Sequence, residues 1–206
     1  IEAAWAEGLG PDLEGRSPRD PIVVDVDSTH TETYGITKQQ ATSRNYQGLR
    51  GYHPLLATEA STGQIIAGAL RGGNSSPANS ATEFIDTALI RMRHLTTDTI
   101  PLVVRADSGF YVRGFFDACH THDVRFSVTV RQFPAIKDLI ASIPTDHWQP
   151  VAVSGREHVH VAAVPFTIKG ATSAGHRPLP CRLIVRRTTI PADTGTTQPR
   201  LFDLVD

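Results

Sequence analysis

The chain has 206 residues, with 20 Lys+Arg against 21 Asp+Glu, a formal net charge of −1 and a hydrophobic fraction of 40%. Such a composition excludes the disordered and fibrous classes and leaves room for one large or two small globular domains. No apolar run approaches the roughly 18 residues that a membrane helix needs, and Cys119 and Cys181 match no CxxC or zinc-ligand spacing, so the reading is cytoplasmic, with neither a disulfide framework nor zinc.

Residues 1–20 read as a short helical piece, IEAAWAEGL, followed by a linker punctuated by Pro11, Gly15 and Pro18. Residue 1 is Ile, no signal or transit pattern occupies this stretch, and the far end stops in LFDLVD as though in mid-sheet. The expectation is a fragment of a longer protein. PIVVDVDSTH is a strand rich in β-branched residues, and the pleat puts Asp25 and Asp27, two apart, on one face. The polar stretch 34–51 reads as an irregular loop. YHPLLATEA and QIIAGALRGG form a hairpin about Ser61, Thr62 and Gly63, and Gly72-Gly73-Asn74 is a tight turn rather than a phosphate loop. SATEFIDTALIRMRHL places Phe84, Ile85, Ala88, Leu89 and Met92 at helical spacing, with Ser80 and Glu83 in the relation of a capping box.

PLVVRADSGF is a second short apolar strand that ends in an aspartate. A helix from about Tyr111 to His120, the strand RFSVTV and the helix PAIKDLIASI follow. Strands in a meander followed by alternating strands and helices imply a mixed α/β sheet flanked by helices, over residues 21–143. From Pro144 to residue 206, WQPVAV, HVHVAAVPFTI, CRLIVRRTTI and RLFDLVD are all strand-like, a β-rich segment at the C-terminal end.

Asp27 and Asp107 each close a buried-type strand and each precede a serine. Carboxylates at strand ends can converge on one crevice, and Mg²⁺ takes a few such oxygens together with water and substrate phosphates. The chemistry that this suits is two-metal phosphoryl transfer, which ordinarily has a third carboxylate. The same two residues also fit another reading, as strand-end or helix N-cap acids that accept backbone N–H groups, and the pattern leaves both open. Asp25 is a candidate auxiliary metal ligand, or a like charge that raises the site's proton affinity. The histidine pairs His120/His122 and His158/His160 lack a third ligand at zinc spacing and read as surface residues; His53 packs or hydrogen-bonds at a strand start. Arg44, Arg50, Arg71, Arg105, Arg113 and Arg131 fall at strand ends or loops adjoining the proposed site, where guanidinium groups suit DNA phosphates.

VDVDSTH, NYQGLRGYHPLLA, TGQIIAGALRGGNSSPANSA, RADSGFY and RFSVTVR, in this order over about Pro21 to Ile143, resemble the catalytic core of bacterial insertion-sequence transposases of the DDE class. That resemblance implies a ribonuclease-H-like fold, Asp27 and Asp107 as the first and second catalytic acids, and Mg²⁺, or Mn²⁺ in its place. It implies DNA strand cleavage and strand transfer, with transposon ends and target DNA as partners, a homodimer in the full-length synaptic complex, and association with the nucleoid when DNA is bound. The β-rich segment is similar to the insertion that some of these enzymes place between the second Asp and the final Glu. The family's third acid lies on a later helix within a Tyr-Arg-Glu-Lys-like signature. Here Glu157 is the only glutamate beyond Glu83, in the strand-like GREHVHVAAV, and reads as a surface residue. The expectation is therefore a chain that is catalytically incompetent alone. Two rivals are a ribonuclease-H-like nuclease that only hydrolyses and a non-catalytic DNA-binding remnant of a mobile element. A near-neutral chain is compatible with DNA, since local charge does the steering and KQQATSRNYQGLRGYH and VRFSVTVRQ are basic.

Overall fold

A computed structural model describes residues 20–34, 44, 48–76, 80–96, 100–153, 158–169 and 177–188. The helix expected in IEAAWAEGL, the strand expected in RLFDLVD, and Glu157 lie outside the described residues. The chain divides into two compact units, 1–128 and 129–205.

In the first unit, strand β1 (Ile22–Ser28) buries Ile22, Val24 and Val26 and turns Asp25 and Asp27 to the opposite face. A run of β-branched residues with period-two alternation does this by pleat geometry alone. A two-residue ribbon, β2 (Thr31–Glu32) with β3 (Gly51–Tyr52), and an isolated bridge between Arg44 and Arg50 give order to parts of the stretch expected to be irregular. The hairpin falls where expected, β4 (Leu55–Glu59) with β5 (Ile65–Ala69), and a register shift at Ala57/Thr58 lets successive Ile66 and Ala67 both be buried. β6 (Leu102–Ala106) runs parallel to β1, and β7 (Arg125–Val128) parallel to β6. The sheet order β5-β4-β1-β6-β7, a three-strand antiparallel meander continued by two parallel strands, is the ribonuclease-H-like arrangement.

Helix α1 (Ala81–Leu95) buries Ala81, Phe84, Ile85, Ala88, Leu89 and Met92, the expected stripe with one further alanine. It packs on β5 and on α2 (Arg113–Thr121), which also contacts β7. Gly114 allows that approach: a Cβ there would overlap Thr82 Oγ1 of α1. The start of α1 corrects the expected capping box. Ser80 adopts a left-handed conformation (φ 59°) and its side chain makes no cap hydrogen bond, because this backbone turns the hydroxyl away from the first-turn amides. Only its carbonyl serves, accepting from Phe84 N–H at 3.0 Å.

The second unit holds α3 (Pro134–Ala141), begun by a proline whose missing N–H costs nothing at that position, with Ile136 and Ile140 buried. Its antiparallel sheet comprises β8 (Gln149–Pro150), β9 (Val159–Ile168) and β10 (Leu179–Thr188), in the order β10-β9-β8. Val159, Ala162, Leu183 and Val185 are buried, and the Arg187 guanidinium lies 4.3 Å from the centre of the Trp148 ring. Of the strands expected over WQPVAV, HVHVAAVPFTI and CRLIVRRTTI, the first is only two residues long, whereas β9 falls within the second and β10 overlaps the third. No helix among the described residues is long and apolar enough to cross a membrane.

Candidate active site

Asp27 and Asp107 are neighbours because β1 and β6 are hydrogen-bonded and run in one direction. The last paired residues are Val26 and Ala106. Each aspartate therefore stands one residue past the same register step, at the carboxyl ends of strands about 4.8 Å apart. Both are exposed. Asp27 Oδ1 accepts the Ser28 N–H at 2.7 Å, and Asp107 Oδ1 accepts the Gly109 N–H at 2.9 Å as the cap of a 3₁₀ turn, Ser108–Phe110. The N-cap reading thus describes a real feature of Asp107, and both acids accept a backbone N–H. It occupies one oxygen of each; the Oδ2 atoms have no polar partner among the described residues.

The position of Asp107 is fixed from below. Phe110, three residues on, is fully buried and lies 6.3 Å from the Phe115 ring, which packs edge-on to Phe116 at 5.6 Å; Phe116 in turn meets Phe126 of β7 at 4.9 Å. The aromatic chain ties the turn after β6 to α2 and β7, so the carboxylate is held by core packing rather than by a free loop.

Two register steps before the acid pair, Asp25 faces Arg105 across the same two strands. The guanidinium grips both carboxylate oxygens, Nε to Oδ1 and Nη2 to Oδ2, each at 2.7 Å. Arg71 donates to the His53 carbonyl at 3.0 Å and the Ser76 carbonyl at 2.7 Å, fastening the turn after β5 to the start of β4. Arg44 donates to the Gly48 carbonyl and Arg113 pairs with Asp117 one helical turn on. Arg131 is exposed in the second unit. His53 Nδ1 lies 2.7 Å from the Ser75 carbonyl, the contact expected at a strand start. His122, expected as a surface residue, instead meets Asp86 Oδ1 at 3.0 Å and so links the end of α2 to α1.

Residues 9–191 match the transposase DDE domain, group 1, family. The chain belongs to the DDE transposase family. No curated protein matches it. Among solved structures it is similar to the Mos1 mariner transposase in its paired-end complex with Mn (13% identity, TM-score 0.39), covering 68% of this chain and 46% of that one. It is also similar to the catalytic domain of Mos1 mariner transposase (13% identity, TM-score 0.40), covering 68% and 67%. A third is the HTLV-2 integrase catalytic core domain in complex with magnesium (13%, TM-score 0.31), covering 59% and 65%. The chain thus spans less than half the length of the Mos1 protein in that paired-end complex. The family match and the strand order carry the assignment.

In this DDE domain no group of three or more His, Cys, Asp or Glu side chains that could hold a metal comes together among the described residues. The donor pair nevertheless fits a hard divalent cation: two carboxylates at one edge, each steadied by a backbone N–H, each with an oxygen to offer, and enough exposure to leave water in the coordination shell. Both cysteines are free. Burial, with the Asp86 charge adding to it, pushes the Cys119 thiol up to about 12, and burial also raises that of Cys181.

Two polar features escaped the sequence reading. The Arg105 fork on Asp25 depends on the register of strands far apart in the chain. Glu59 is fully buried at the end of β4. The signal for it was its parity, since it continues the buried positions Leu55 and Ala57, and the Ser61-Thr62 turn that follows.

Proposed function

We propose that this DDE domain acts on DNA by metal-dependent strand cleavage and strand transfer within a longer protein, with Asp27 and Asp107 as the catalytic acids. The observation that carries this is their placement one residue past the Val26–Ala106 pair, on adjacent parallel strands of a family member. Mg²⁺, or Mn²⁺, held by the Asp27 and Asp107 Oδ2 oxygens would lower the pKa of an attacking water or 3′-hydroxyl and stabilise charge on the leaving oxygen. The protein's part is positional. The Ser28 and Gly109 N–H groups fix the carboxylates, and the buried Phe110 keeps the Asp107 turn from shifting.

Arg44 and Arg50 in the first unit, and Arg131 in the second, are proposed phosphate contacts. Arg44, Arg71 and Arg105 each also serve an internal bond, to the Gly48 carbonyl, the His53 carbonyl and Asp25 respectively. The β-rich segment from residue 144 is proposed as an insertion before a third acid, and a homodimer on paired DNA ends belongs to the same reading. Two of the three acids are proposed to lie in these 206 residues, which are proposed not to turn over unaided.

Two measurements test the reading. Mn²⁺ titration of the chain followed by electron paramagnetic resonance should show a bound ion that Asp27→Asn or Asp107→Asn removes while the circular dichroism is unchanged; retention of the ion in both variants contradicts the assignment. Incubation of the chain with DNA and Mg²⁺ or Mn²⁺ should leave the DNA uncut, and strand cleavage or transfer would overturn the proposed incompetence.

A further inference from the structure

We infer that Arg105 holds Asp25 out of the cation site, so that the Asp25–Arg105 pair sets the charge, and with it the divalent-ion affinity, of the Asp27/Asp107 edge. This rests on the proposed metal-holding role of Asp27 and Asp107. Asp25 and Asp27 alternate on β1 and share a face, about 7 Å apart along the strand. Arg105 and Asp107 stand in the same relation on β6, so one exposed face carries an acid pair at the strand ends and an acid–base pair directly behind it. A carboxylate at Asp25 would otherwise be a third hard oxygen donor within side-chain reach of the ion. The bidentate fork takes both of its oxygens, at 2.7 Å each. A guanidinium stays charged at every working pH and matches a carboxylate in two parallel hydrogen bonds, which a lysine cannot do.

The charge arithmetic gives an order of affinities. With Arg105 present, the four side chains sum to two negative charges. Arg105→Gln leaves three and releases Asp25, Asp25→Asn leaves one, and the double variant returns to two. For a divalent ion about 7 Å from the altered charge, in surroundings close to water, each step amounts to about tenfold in affinity.

The experiment is Mn²⁺ titration by electron paramagnetic resonance on the 206-residue chain, with thermal unfolding of each metal-free variant to confirm that it folds. Arg105→Gln should bind Mn²⁺ about tenfold more tightly than the parent, Asp25→Asn about tenfold more weakly, and the double variant within about twofold of the parent. A purely structural role for the pair would instead weaken binding in both single variants and in the double. If Arg105→Gln fails to fold, Asp25→Asn and Arg105→Lys decide: weaker binding in the first with parental or tighter binding in the second, which keeps the charge but loses the fork, supports the inference, and weaker binding in both overturns it. Unchanged or weaker binding in folded Arg105→Gln, or unchanged binding in Asp25→Asn, overturns it. If the parent chain shows no Mn²⁺ binding that Asp27→Asn abolishes, the metal site itself is refuted, which is a different result from a site that binds yet ignores Arg105.

Discussion

Glu59 shows how a single side chain can fasten a turn. It is fully buried, and its Oε2 accepts from the Ser61 N–H at 3.0 Å, the Ser61 hydroxyl at 2.7 Å, the Thr62 N–H at 2.8 Å and the Thr62 hydroxyl at 2.9 Å. Burial alone would push its carboxyl up; the four donors outweigh burial and leave it below the ordinary 4.5. A carboxyl lowered in the folded state contributes stability above its unfolded value, and that contribution is lost as pH falls through the lowered one. Glu59→Gln should therefore cost about 1–3 kcal/mol at neutral pH. In urea unfolding, the gap between parent and variant should narrow as the pH is taken below 4.5. A gap that holds at low pH would show that the charge is not what the turn uses. At this scale the sequence displayed Asp27 and Asp107 plainly, because an acid that ends an apolar strand stands out. It concealed Glu59, because a charged residue at a buried parity is discounted by composition.

Among the elements, the α1–α2 contact is the most demanding. At Gly114 a β-carbon would overlap Thr82 Oγ1, so any side chain there would force Thr82 to move. Gly114→Ala should destabilise by about 1–3 kcal/mol through overpacking. Adding Thr82→Ala should recover part of that loss in the same denaturation assay, and strict additivity of the two changes would rule out the contact as the cause. The helices α1, α2 and α3 and the strands β1, β4, β5, β6 and β7 were legible from periodicity and apolar runs, whereas the short β2–β3 ribbon was not and β8 is much shorter than its apolar run. The cap at Ser80 was not, since Ser-x-x-Glu specifies a capping box only when the serine backbone is extended, and a left-handed φ is set by how the loop enters the helix. Nor was the Arg105 fork, whose partner sits 80 residues away and is fixed by strand register alone.

For the whole molecule, the net charge of −1 conceals a division. Residues 1–128 carry 11 Lys+Arg against 15 Asp+Glu, while residues 129–206 carry 9 against 6. Neutrality is thus an average of an acidic first part and a basic second part, and only the fold reveals that the change of sign coincides with a boundary between compact units. The first unit also carries its own reporter. Cys119 is buried in α2 and its thiol is pushed up to about 12, so iodoacetamide at pH 8 should leave it unmodified in the native protein while the half-buried Cys181 reacts slowly. Mass spectrometry should find Cys119 modified only under conditions that unfold the unit, and labelling of the native chain would contradict the burial. The adjacency of the two acids also has a consequence in time. Asp27 and Asp107 are eighty positions apart, with the hairpin and α1 between them, and parallel strands so far separated pair slowly. During synthesis, a chain that has not yet delivered β6 presents Asp27 without the second acid of the proposed metal site. Under the proposed metal assignment the ion would recognise a completed β1–β6 pairing rather than a local motif, and would stabilise that pairing by mass action.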